Sequence, residues 1–169
     1  MKDARSHLKE GQEYYFGDLP DYVSAEQCFR KAIAVAPDWG ESFLFLAGAL
    51  QRQNKLKQAC EMGRTAVRLL PGDPRPLIDL GNTLLLSGRH AAAVHSLEDG
   101  LKLKPHYGEA DARCMLAEAF ERLGNIKRAA VTWRQIANME STYPSHDRPM
   151  EEAKKKLAKH GLSLEDHRA

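Results

Sequence analysis

The sequence predicts an all-α solenoid of about four helix–turn–helix repeats with a capping helix at its C-terminal end. Three observations predict it. Pro37, Pro71 and Pro105 stand 34 residues apart, and a fixed interval in this range marks a repeat array. Ahead of each proline one spacing recurs: Ala25-x₃-Phe29-x₂-Ala32, Ala59-x₃-Gly63-x₂-Ala66 and Ala93-x₃-Leu97-x₂-Gly100, with a weaker fourth copy, Ala129-x₃-Trp133-x₂-Ile136, ending at Ser141. Each of these segments follows another whose apolar residues fall at i, i+3, i+4 and i+7, one face of a helix.

The elements follow in order. The array occupies 1–141, divided near 5–37, 40–73, 74–107 and 110–141. The first unit predicts helices over 5–16 and 22–35, with a connection longer than the others and the register of the first helix left open. The second predicts 41–53 and 56–69. Its inward positions are Phe43, Leu46, Ala47 and Leu50, and Trp39 stands four residues ahead of Phe43, as in a hydrophobic staple, or on the rim of a binding surface. The third predicts 75–87 and 90–103, with Leu77, Leu80, Gly81 and Leu84 inward. The fourth predicts 110–123 and 126–140, with Leu116, Ala117 and Phe120 inward and Arg113 where the first apolar residue should stand. It starts late, so the connection from Pro105 to Ala110 is expected to be longer.

Turns fall at Asn54-Lys55, Gly88-Arg89 and Gly124-Asn125, residues that tolerate the left-handed conformation of a helix end. Gly63 and Gly100 each cost a helix ~1 kcal/mol, and close packing is the expected compensation. Beyond the array, 142–148 is predicted as a loop and 149–161 as the capping helix, with Pro149 in its first turn. Met150, Ala153 and Leu157 form its apolar stripe, Lys154 to Lys156 its solvated face and Gly161 its stop; 162–169 reads as a frayed tail. Terminal repeats need such a cover because their outer apolar face is otherwise exposed.

Composition narrows the function. Hydrophobic residues make up 43% of the 169, enough for a core, and 25 Lys+Arg against 23 Asp+Glu leave a net charge of only +2. That balance disfavours nucleic-acid binding through bulk charge. No stretch reaches the ~18 apolar residues of a membrane span, and the first ten residues lack the apolar run of a signal peptide. Cys28, Cys60 and Cys114 are odd in number and far apart, which favours a reducing compartment over a disulfide framework. The expected location is cytoplasmic. Neither a phosphate-binding loop nor metal-ligand spacing among the seven histidines occurs, so no metal, cofactor or catalytic set is expected. Cys114 reads as small-hydrophobe packing rather than a nucleophile, and Cys28 and Cys60 as semi-buried.

The run Leu77-x₂-Leu80-Gly81-x₂-Leu84…Gly88…Ala93-x₃-Leu97-x₂-Gly100-x₄-Pro105 resembles the tetratricopeptide repeat family. The resemblance covers roughly 5–141 and implies a right-handed superhelix whose first helices line a concave groove for protein ligands. On that implication the groove positions are Glu41, Leu44, Gly48 and Gln51 from the second repeat, Arg75, Ile78, Asn82 and Leu85 from the third, and Asp111, Cys114, Glu118 and Arg122 from the fourth. Family members that clamp acidic chaperone termini use Lys, Asn and Arg here; Leu44, Gly48, Ile78, Cys114 and Glu118 do not fit, and only Asn82 and Arg75 do. The implied function is a non-enzymatic module binding a peptide or amphipathic helix, an adaptor, scaffold or assembly factor, with Ile78 and Leu85 as apolar anchors. A holdase similar to type III secretion chaperones is the alternative, against which a pI near 8.4 counts. An RNA-binding array similar to pentatricopeptide proteins is the third reading, disfavoured by the absence of a basic stripe. Self-association through terminal repeat faces would be the other use of those faces.

Overall fold

The computed structural model describes residues 3–105, 108–140 and 147–164. Along them run α1 (Ala4–Phe16), α2 (Tyr22–Val35), α3 (Gly40–Arg52), α4 (Leu56–Leu69), α5 (Pro74–Leu86), α6 (His90–Lys102), α7 (Glu109–Arg122), α8 (Ile126–Ala137) and α9 (Asp147–Lys159). There is no strand among the described residues. Each helix packs on its neighbours in sequence, so the chain is an array of antiparallel pairs. Ser141, most of the expected loop, His106, His146, His167 and the end of the tail lie outside the described residues.

Local chemistry sets the helix ends. The Asp3, Asp21, Asp73 and Asn125 side chains accept hydrogen bonds from backbone N–H groups in the first turns of α1, α2, α5 and α8, groups that have no partner within the helix. Asn54, Gly88 and Gly124 take φ of 60°, 75° and 72°, so the three expected turns do use the left-handed region. Gly161 stops α9 in the same way, at φ 67°. Residues 17–21 join α1 to α2, a longer link than 53–55, 87–89 or 123–125. Likewise 103–108 joins α6 to α7 over a longer path than 36–39 or 70–73.

Pairs close up where a small residue meets a large one. A Cβ on Gly11 would stand 2.5 Å from Cε1 of Phe29, and one on Gly81 would stand 2.6 Å from Cγ of Leu97. Gly11 is thereby the counterpart of Gly81, which supplies the register of the first helix that sequence left open. Gly63 faces Leu80 of the next repeat, and Gly100 faces Ile78 and Leu77 within its own. The expected compensation for these helix glycines is therefore present as close approach. Phe29, Leu46, Leu50, Leu97 and Ile136 are among the fully buried side chains.

Several expectations are corrected. Phe43 and Leu77 are only half-buried, while Ser42 and Leu44 are buried, because α3 packs against α2 on one side and α4 on the other and so hides a wider face. Cys28 and Cys60 are fully rather than semi-buried. Arg113 replaces an apolar residue by bonding outward, to Glu109 at 2.8 Å and to Gln135 of α8 at 2.7 Å. Trp39 is the N-cap residue of α3 and packs on the N-terminal core.

One buried charge ties two repeats together. The Glu26 carboxylate accepts from Arg30, Gln53 and Lys55 at 2.8 to 2.9 Å, linking α2 to the turn after α3. Burial alone would raise its pKa. The hydrogen bonds outweigh that and hold the carboxyl below its ordinary value.

Helix α9 covers the last pair. Ala153 and Leu157 are 2% and 1% exposed and pack on α8 and α7. Lys156 is not merely solvated: it pairs with Glu121 at 2.8 Å and lies 5.9 Å from the Trp133 ring centre. The start of the expected tail is also held. Leu162 packs on the core, and the Ser163 carbonyl accepts from Arg134 Nε at 2.9 Å.

Two stability measurements check this packing. Leu157→Ala is expected to lower the unfolding free energy in urea by about 2–5 kcal/mol, while Lys155→Ala, on the exposed face, changes it by less than about 0.5 kcal/mol. Gly81→Ala is expected to destabilise despite a helix-propensity gain of ~1 kcal/mol, because its Cβ would meet the branched carbon of Leu97. Gly63→Ala, whose Cβ would stand 3.3 Å from the end of Leu80, should stay within about 1 kcal/mol of the parent.

Candidate functional site

Helices α1, α3, α5 and α7 share one side of the array and enclose an open groove of about 490 Å³. Tyr15 and Phe16 come from α1, Leu44, Phe45 and Gly48 from α3, Arg75, Ile78 and Asp79 from α5, and Asp111 and Met115 from α7. Every first helix thus contributes. The reason is geometric: on a helix, residues three and four apart share a face, and stacking the pairs lines those faces up.

The walls are apolar and aromatic. Phe16 meets Tyr15 edge-on at 4.7 Å and Phe45 at 6.0 Å, and Phe45 stacks on Phe29 at 5.6 Å. Phe16 nevertheless remains 67% exposed. The Tyr15 hydroxyl lies over Gly48, where any Cβ would stand 2.9 Å from it. Burial and the nearby Asp79 charge raise the Tyr15 pKa.

Asp79 is the polar feature of the floor. Its carboxylate is open to groove water but ringed by protein, and that loss of bulk solvent pushes its pKa up to about 6. Arg75, one turn earlier, lowers it only in part, because the Arg75 guanidinium is engaged by Asp73 and lies 3.7 Å from Glu41.

A second hollow of about 530 Å³ continues from the first past Asp111 and Met115. Cys114, Glu118 and Arg122 of α7 face Glu152, Ala153 and Lys156 of α9 across it, with Trp133 of α8 behind. Arg122 pairs with Glu118 at 3.1 Å. His160 stacks on Trp133 at 5.4 Å. The Cys114 thiol is raised to about 11, first by burial and then by Glu152 and Asp111, so it stays protonated at neutral pH and is a poor nucleophile.

The expected groove residues divide three ways. The first hollow takes Leu44, Gly48, Arg75, Ile78 and Asp111, and the second takes Cys114, Glu118 and Arg122. Leu85 lines neither; at 8% exposure it belongs to the core, because α5 packs against both α6 and α4. Gln51 and Asn82 also line neither, and Gln51 spends its amide on Thr83 at 2.9 Å, bridging repeats. Leu44, 5% exposed, forms floor more than wall.

Sequence reading missed Tyr15, Phe16, Phe45, Asp79 and Met115. Phe45, Asp79 and Met115 occupy equivalent positions of successive repeats, each one residue beyond Leu44, Ile78 and Cys114. A column shifted by one residue would have found them. Tyr15 and Phe16 required the register of α1. Among the described residues no cluster of His, Cys, Asp and Glu has the form of a metal site, and no helix is long and apolar enough to cross a membrane.

Known proteins share this architecture. Residues 78–137 match the tetratricopeptide repeat model. Over 116 residues, 69% of this chain, the sequence is 28% identical to the BBSome complex member BBS4 of Xenopus tropicalis, of whose length the chain spans 22%. A crystal structure of the MamA protein superposes with TM-score 0.69 at 19% identity, covering 95% of this chain and 78% of that one. The TPR2B domain of yeast Sti1, in complex with pHsp70, superposes with TM-score 0.66 at 18% identity, covering 70% of this chain and 97% of that one. These two likenesses show the fold alone. With helix pairs recurring every 34 residues and the model matched over 78–137, the chain is similar to tetratricopeptide repeat proteins in fold and in that stretch of sequence.

Proposed function

We propose that the chain is a non-enzymatic protein-interaction module that holds a peptide or amphipathic helix of a partner along the groove of α1, α3, α5 and α7. One observation carries this reading: side chains from four separate repeats converge on a single open groove with apolar walls. A ligand lying along it touches every repeat, which is how an extended surface gains affinity from modest contacts. Burying two apolar anchors contributes ~1.5–3 kcal/mol each, a large part of the ~8 kcal/mol of micromolar binding. Ile78 and Met115 are the anchors, with Phe16 and Phe45 at the aromatic end. Leu85 is withdrawn from that role, being buried. The Sti1 domain seen with pHsp70 supports the reading, since a related fold there meets a protein ligand.

Ile78→Ala and Met115→Ala are expected to keep the helical spectrum and weaken a partner recovered from native lysate by about tenfold each. Arg64→Ala, on the exposed side of α4, should retain it, and Leu85→Glu should unfold the array. Loss of the partner in Arg64→Ala with retention in the other two would move the binding surface off the groove.

Asp79 supplies a test of the groove's environment. Its carboxyl pKa is raised in the folded chain, so the acid's contribution favours folding below about pH 4 and is lost as pH rises through about 6. Asp79→Asn is therefore expected to raise the melting temperature at pH 8, and the gain should vanish toward pH 4. Equal midpoints at pH 8 would mean that the carboxylate is fully hydrated.

A further inference from the structure

The whole chain carries a small positive net charge, yet the groove does not. Three cations border its two hollows, and all are spent. Arg75 is held by Asp73, Arg122 by Glu118 and Lys156 by Glu121. Three carboxylates are left over. Asp79, Asp111 and Glu152 make no ion pair among the described residues, and they lie along one path from the aromatic end to the capping helix.

We propose that the groove selects a segment of a partner protein in which Lys or Arg side chains alternate with bulky apolar ones. The apolar residues would fill the space between Phe45, Ile78 and Met115. The basic heads would reach Asp79 and Asp111, with Glu152 extending the same preference toward α9. The argument is charge complementarity on an apolar groove. Asp79 stands exposed in the groove with no ion-pair partner among the described residues, and the protein packed around it raises its pKa to about 6. A cation arriving from a ligand repays the desolvation, whereas an anionic ligand adds to it. The groups facing Asp79 are Arg75 and Asp73 from the start of α5, Tyr15 from α1 and Asp111 from α7, and Glu41 of α3 lies beyond Arg75. Among them the one cation is already paired. An acidic chain terminus, the ligand of a basic clamp, would meet repulsion here.

This inference rests on the groove reading above, and one experiment separates their failures. Three sets of synthetic peptides share Phe and Leu at alternate positions and carry Lys, Gln or Glu between them. Their affinity for the full chain is read by fluorescence anisotropy at low and high salt. The Lys set is expected to bind about tenfold tighter than the Gln set at low salt, to lose that margin at high salt, and the Glu set to bind weakest. Asp79→Asn with Asp111→Asn should bring the Lys set down to the Gln level. Gln and Lys sets binding equally, both weakened by Ile78→Ala and Met115→Ala, would overturn the charge preference and leave the groove standing. Binding of the Lys set that is unchanged both by Ile78→Ala with Met115→Ala and by Asp79→Asn with Asp111→Asn would place the binding surface elsewhere and overturn both readings. So would the absence of binding by every set.

Discussion

The close approach of one helix to its neighbour is the constraint on which this molecule depends. Where Gly11 faces Phe29 and Gly81 faces Leu97, no room exists for even a methyl group, and an aromatic or branched side chain packs directly on the opposite backbone. Dispersion is steep in distance, so each such contact is worth more than its area suggests. It also fixes how far apart the two helices of a pair lie. The next pair approaches through Gly63 and Leu80, less tightly, at 3.3 Å for an added Cβ, so the spacing between repeats follows as well. Superhelical curvature, and with it the groove, is the sum of these local separations.

The groove inherits its chemistry from what this packing leaves behind. Leu80, Leu84 and Leu85 of α5 are consumed by the core, so only Arg75, Ile78 and Asp79 reach the open side. The same division leaves Phe45 and Met115 half-exposed in α3 and α7. Aromatic side chains at the N-terminal end hold one another in place, so Phe16 stands largely in solvent between Tyr15 of its own helix and Phe45 of α3. The groove is thus lined by side chains that the packing of the helix pairs leaves on the open side.

At the other end, α9 does more than hide apolar surface. Leu157 and Ala153 close the core, and Lys156 and His160 converge on Glu121, which α7 would otherwise present to the groove. His160 Nε2 lies 3.5 Å from that carboxylate. The capping helix therefore removes one negative charge from the groove's far end and contributes another, Glu152, beside Cys114. Stability of the array and electrostatics of the site are coupled through one helix.

Much of the fold was legible in the sequence, because it rests on regularities that survive in one dimension. The 34-residue interval, the i, i+3, i+4 periodicity and the turn residues Asn54, Gly88 and Gly124 each act locally, and they placed the helices and the capping stripe of Ala153 and Leu157. The site was legible only in part. Ile78 and Asp79 are adjacent in sequence and both reach the groove, while Leu85, two turns beyond Ile78, is buried; periodicity cannot tell these apart, since the width of a helix's buried face depends on how many neighbours press on it. The register of α1 had no repeat signal and emerged from the fit of Phe29 against Gly11. The unpaired state of Asp79 and Asp111 was likewise invisible, because Arg75 and Arg122 could have served them and only their capture by Asp73 and Glu118 in space decided otherwise. Sequence determined which helices form and in what order; tertiary structure decided which of their side chains remained free, because that depends on distances between residues far apart in the chain.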